Sequence, residues 1–132
     1  MRPTIPQPCG RVLVVDDEAA MRILLSRSLT SAGFDVVIAE GGAAGLQKLR
    51  DDPEIRLVLL DLNMPAMDGW AFREEQRSDP QLKDVPTVIV TGEPLTRIIS
   101  RELHAAGYLL KPFKREHLIS VVSEYCEPAQ SW

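Results

Sequence analysis

The chain has 132 residues, 45% of them apolar and 26% charged, which suits a single domain around one core and leaves no length for a second. No apolar run approaches the about 18 residues of a membrane span, and the N-terminus lacks a signal-peptide core. The net charge is −4 and the 15 Lys and Arg residues are scattered rather than striped, which argues against nucleic acid as a direct partner.

Residues 1–10 hold Pro3, Pro6 and Pro8 among polar residues, a composition that predicts an extended or disordered tail. A first strand is expected from Arg11 to Asp16. Met21, Leu24, Leu25, Ser28 and Leu29 then recur at helical spacing until Gly33 stops the helix. A short second strand is predicted over 35–39. The helix expected from Gly42 to about Arg50 is weakened by Gly45, at a cost of about 1 kcal/mol relative to Ala. Leu57-Val58-Leu59-Leu60 is apolar at every position and runs straight into Asp61, as a parallel strand covered on both faces would.

Asp68 can cap a helix that carries Trp70, Phe72 and Gln76 and closes at Ser78-Asp79-Pro80, with Trp70 and Phe72 read as packing residues. Pro86 opens a fourth strand, 87–91, where a missing N–H is tolerated. From Glu93-Pro94 a helix with Leu95, Ile98, Ile99, Leu103 and Ala106 on one stripe is expected, ended by Gly107. A fifth strand, 108–111, and a last helix of about 114–125, burying Leu118, Val121, Val122 and Tyr125, complete the domain at 126. Residues 127–132 are read as a C-terminal tail.

Strands alternating with helices imply a parallel α/β sheet with helices on both faces and right-handed crossovers. Ligands bind beyond the carboxyl ends of such strands. That edge would carry Asp16, Asp17, Asp61, Thr91 and Lys111. Three carboxylates a few ångströms apart repel by about 1–4 kcal/mol per pair, so a hard divalent cation such as Mg²⁺ is the natural counter-charge. The plainer reading, that Asp16-Asp17-Glu18 only caps the following helix, stays open. A carboxylate beside Mg²⁺ can accept a phosphoryl group, the rest of the chemistry being position and charge. In that scheme Asp61 is the acceptor, Asp16 and Asp17 hold the metal, and Lys111 and Thr91 meet the remaining oxygens. Cys9, Cys126, His104 and His117 lack partners at metal-ligand spacing and are read as structural or surface residues. Two cysteines without a secretory signal fit a reducing, cytoplasmic setting.

Val-Val-Asp-Asp-Glu at 14–18, Asp-Leu-Asn-Met-Pro-Ala-Met-Asp-Gly at 61–69, Thr91 and Lys-Pro-Phe at 111–113 resemble the motifs of a two-component response-regulator receiver domain. The resemblance implies a flavodoxin-like, doubly wound, five-stranded parallel sheet of order 2-1-3-4-5 with five helices. It implies phosphoryl transfer to Asp61 from a histidine kinase or phosphotransfer protein, with Asn63 offering its backbone carbonyl to Mg²⁺. It implies a cis Lys111-Pro112 bond, a switch pair of Thr91 and Tyr108, and output through the fourth helix, fifth strand and fifth helix to a downstream protein. Activity would be limited to self-catalysed phosphorylation and dephosphorylation of Asp61.

This chain departs from the pattern at Gly92, where alanine is usual, and the stretch between Thr91 and Tyr108 is about two residues short. With no output domain after the last helix, the chain would act alone or be part of a larger hybrid protein. Little conformational output would make it a phosphoryl sink or relay. Two other classes compete with this reading. A haloacid-dehalogenase-type phosphatase wants a second Asp as general acid where this chain has Asn63. A flavin-binding module wants a phosphate cradle where Asp16-Asp17-Glu18 would repel phosphate.

Overall fold

Runs that are apolar at every position call for cover on both faces, and helices packed on either side of the sheet supply it. The structure is a computed structural model that describes residues 10–62, 64, 68–92 and 101–126. Its strands are β1 (Arg11–Val15), β2 (Val36–Ala39), β3 (Ile55–Asp61), β4 (Thr87–Thr91) and β5 (Gly107–Leu110). All pair in parallel, in the order β2-β1-β3-β4-β5. The helices are α1 (Ala19–Ser31), α2 (Gly42–Asp51), α3 (Gly69–Ser78), helical residues 101–103, labelled α4, and α5 (Arg115–Ser123). This is the flavodoxin-like fold.

Alternate side chains of a strand point to opposite faces, so β1, β3 and β4 each feed two cores. Leu13, Val15, Val58, Leu60 and Ile89 pack with Leu46 and Leu49 of α2, Phe72 of α3 and Leu103 of α4. Val12, Val14, Leu57, Leu59, Val88, Val90 and Leu109 pack with Leu25 and Leu29 of α1 and Leu118 and Val122 of α5. Phe72 is fully buried, and its truncation to alanine would cost about 3–5 kcal/mol.

Several local expectations hold for the stated reasons. Asp68 caps α3, its carboxylate accepting from the Ala71 amide at 2.9 Å. Gly33, at φ 96°, ends α1 with its amide on the Thr30 carbonyl, while the Phe34 amide reaches the Leu29 carbonyl. Gly45 sits where a Cβ would lie 2.8 Å from Val15 Cγ2 and 3.0 Å from Phe72 Cε2. The glycine that weakens α2 as an isolated helix is what lets it lie close against the sheet.

Other expectations are corrected. β3 starts at Ile55, two residues early, because Ile55 is buried and pairs with Arg11. Leu24 is 51% exposed, so the inward stripe of α1 is narrower, and Trp70 is 40% exposed rather than a packing residue. Val121 and Tyr125 are only partly buried against the second core. α4 ends at residue 103, through His104 in the left-handed region at φ 51°. Gly107 begins β5 instead of ending the helix, and Ala106 is an exposed bend residue. Cys126, 4% exposed, is disulfide-bonded, against the expectation of two reduced thiols. The other cysteine, Cys9, lies outside the described residues, as do the rest of the N-terminal tail through residue 9, Asn63, residues 93–100 with Leu95, Ile98 and Ile99, and the C-terminal tail. The segment read as shortened, between Thr91 and Tyr108, includes residues 93–100 and so lies partly outside the described residues.

Candidate functional site

Strand register assembles the site. Val15 pairs with Leu60, Asp61 with Val90, and Thr91 with Leu110. Asp16, Asp61, Thr91 and Lys111 therefore follow one another across the carboxyl edge of β1, β3, β4 and β5, and the Lys111 amide donates to the Thr91 carbonyl at 2.7 Å. Asp16 is 1% exposed, Asp61 6% and Thr91 1%. Asp17, one residue beyond Asp16, is exposed.

One carboxylate oxygen from each of Asp16, Asp17 and Asp61 lies within 4.8 Å of the others. At that spacing each pair repels by roughly 1–3.5 kcal/mol between aqueous and protein-surface dielectrics. The capping alternative does not account for them. Glu18 is the N-cap of α1 yet makes no side-chain cap bond. Asp16 Oδ1 instead accepts from the Glu18 amide at 2.9 Å, which turns the chain and aims the second oxygen inward. That oxygen, Oδ2, is buried with no hydrogen-bond partner among the described residues. Lys111 Nζ is 3.6 Å from it, an ion pair without a hydrogen bond. A buried, ionised oxygen left in this state is expensive, and three convergent carboxylates could hold a divalent metal that completes it. The donor set fits a hard cation.

The setting is tightened by two residues that sequence reasoning missed or undervalued. Arg22 Nη1, from α1, donates to the Asp16 carbonyl at 2.8 Å and fixes the β1–α1 turn. An arginine one turn into a helix gives no sequence signal of that bond. A Cβ on Gly69 would meet Leu62 Cα at 2.8 Å and the Asp61 carbonyl at 3.1 Å, so α3 can start directly beneath the β3 tip only with glycine there. The Lys111-Pro112 bond is cis. Tyr108, 49% exposed, flanks buried Leu109 on the outer strand together with Leu110, 39% exposed.

A doubly wound sheet with an acidic, metal-ready edge at the point where strand order reverses defines the class. A family model described as response regulator receiver domain matches residues 12–123. The chain is 38% identical over 110 residues to the probable transcriptional regulator ycf27 of Pyropia yezoensis, covering 82% of this chain and 44% of that one. It is 35% identical over 115 residues to the probable chemotaxis protein CheY of Rhizobium etli, covering 85% and 88%. The crystallised chemotaxis protein CheY4 of Vibrio cholerae superposes with a TM-score of 0.82 at 30% identity, covering 88% of this chain and 98% of that one. The chain belongs to the response regulator receiver domain family, the phosphoacceptor signalling domains of two-component systems, which interact with kinases and downstream effectors. It spans less than half of the ycf27 relatives it matches. No helix among the described residues is long and apolar enough to cross a membrane.

Proposed function

We infer that Asp61 is the phosphoryl acceptor of a two-component phosphorelay and that the acidic edge binds Mg²⁺. The observation that carries this is the convergence of Asp16, Asp17 and Asp61 within 4.8 Å around the orphaned Asp16 Oδ2, with Lys111 beside it. The donor is a phosphohistidine on a kinase or phosphotransfer protein. In the step, a carboxylate oxygen of Asp61 forms the O–P bond as the P–N bond to histidine breaks, and the imidazole leaves with the electron pair and takes up a proton.

Asp16, Asp17 and the backbone carbonyl of Asn63 would hold the cation together with Asp61. When bound, Mg²⁺ supplies charge neutralisation for the acceptor and the phosphoryl oxygens. The chain's own residues do the rest. Burial of Asp61 at a strand tip fixes its attack geometry, Arg22 and the Asp16 turn hold the β1–α1 corner that presents Asp16 and Asp17, and Lys111 stands ready to move from Asp16 to a phosphoryl oxygen. Thr91, at the next strand tip, is placed to meet another. Tyr108, exposed on β5, would turn inward behind Thr91 and so change, from its β5 side, the α4–β5–α5 face seen by a downstream protein. The chain otherwise catalyses only its own phosphorylation and dephosphorylation.

Incubation with acetyl phosphate and Mg²⁺ tests this by intact mass. The wild type is expected to gain one phosphoryl group and Asp61→Asn none. An equal gain on Asp61→Asn would move the acceptor elsewhere.

A further inference from the structure

The far end of the sheet holds a buried cation that the phosphoryl chemistry does not use. Arg73, on α3, is 5% exposed, and among the described residues it takes part in no ion pair. Its guanidinium donates from Nε to the Leu103 carbonyl at 2.9 Å and from Nη2 to the His104 carbonyl at 2.7 Å. Nη1 donates to Gln76 Oε1 at 2.7 Å and to Thr87 Oγ1 at 3.3 Å. Gln76 and Thr87 are themselves buried. The Gln76 amide donates to the carbonyls of Leu82 and Val85 at 3.2 and 3.0 Å, and the Thr87 hydroxyl to Gln76 Oε1 at 3.0 Å.

Two of these bonds take the carbonyls of Leu103, the last residue of α4, and of His104 just beyond it, where a helix end favours a cation and where His104 takes the left-handed conformation that turns the chain toward β5. The next link is also tied down. The Ala106 amide donates to the Thr87 carbonyl at 2.9 Å, and the Tyr125 hydroxyl to the Ala106 carbonyl at 2.8 Å. Burial, and after it the charge of Arg77, pulls the Arg73 pKa below its ordinary value, so the group is held there against a real desolvation cost. A buried charge that costs stability and joins three elements points to a specificity role.

We propose that Arg73 is a positioning residue that clamps the end of α4 to α3 and to the start of β4, making residues 101–106 the fixed end of the signalling movement. β4 is then held at Thr87 by the clamp and meets the phosphoryl site at its other end, Thr91. The rearrangement reaches Thr91 and Tyr108 and stops short of Leu103. The proposal rests on Asp61 being the acceptor.

Amide chemical shifts with and without beryllofluoride and Mg²⁺ test it in the wild type, Arg73→Lys and Arg73→Met. In the wild type, Leu62, Thr91 and Tyr108 are expected to shift while Leu103, His104 and Ala106 stay within error. In Arg73→Met the shifts at Leu103 and His104 are expected to grow to the size of that at Tyr108. Arg73→Lys, which keeps the charge and loses the fork, should fall between. A merely structural residue would lower the melting temperature without changing how far the response reaches. Should Arg73→Met fail to fold, Thr87→Val removes one of the four bonds and is expected to give a smaller spread of the same kind. Wild-type shifts at Leu103 as large as at Tyr108, or the same reach in every variant, would overturn the clamp alone. No response at Leu62 would overturn the acceptor reading, and the clamp with it.

Discussion

Arg11 bridges two carboxylates at the start of β1, Asp52 at 2.6 Å and Asp35 at 3.1 Å. The hydrogen bond from Arg11, more than any other influence, holds the Asp52 carboxyl below its ordinary 3.8. A pKa depressed in the folded state contributes stability that is present above the unfolded value and lost as pH falls through the folded one. Acid unfolding should therefore include a component below about pH 4 that Asp52→Asn removes. Denaturant midpoints measured down the acid range check this, and identical acid slopes in both proteins would contradict it. At this scale the site carboxylates were legible because Asp61 ends a run with no polar residue to explain it. Arg73 was not legible, since an arginine on a short helix ordinarily reads as solvated and only the packed structure shows what surrounds it.

Among the elements, α2 shows packing overriding local preference. Alanine at position 45 would gain about 1 kcal/mol of helix propensity. Its methyl would press on Val15 Cγ2 and Phe72 Cε2, and overpacking costs typically 1–3 kcal/mol. Gly45→Ala is thus expected to lower stability by about 1 kcal/mol net. Because Val15 directly precedes Asp16, it should also weaken Mg²⁺ binding. A variant more stable than the wild type would show that α2 can lift off the sheet freely. The starts and stops of elements were legible where side-chain chemistry dictates them, as with Asp68 and Gly33. They were misread where tertiary context decides. Ile55 becomes strand by pairing with Arg11, and α4 ends at Leu103, where Arg73 donates to the Leu103 and His104 carbonyls.

For the molecule as a whole, fold and site are linked through charge. The carboxylates that make the edge useful also push against one another, so a cation that binds only the folded state stabilises it. At ten times its Kd the gain is about 1.4 kcal/mol, or roughly 4–8 °C in Tm for a domain of this size. Asp17→Asn should blunt that rise and, with one repulsive charge removed, melt at or above the wild type when Mg²⁺ is absent. A melting curve that millimolar Mg²⁺ leaves unmoved would show that the edge holds no divalent cation. Layering was legible from the alternation of fully apolar runs with amphipathic ones, whereas the strand order, 2-1-3-4-5, followed only from the resemblance to receiver domains. The disulfide at Cys126 was not, because spacing of two distant cysteines says nothing about their proximity.

The central claim is that one side chain, at one strand tip, receives the phosphoryl group. Reading the modified position directly tests it best: the phosphorylated protein is reduced with borohydride, which converts an acyl phosphate to homoserine, and its peptides are sequenced. Homoserine at position 61, dependent on Mg²⁺ and on phosphodonor, is the expected result. Homoserine at position 16 or 17, or a stable phosphoryl group on His104 or His117 with Asp61 intact, would contradict the account.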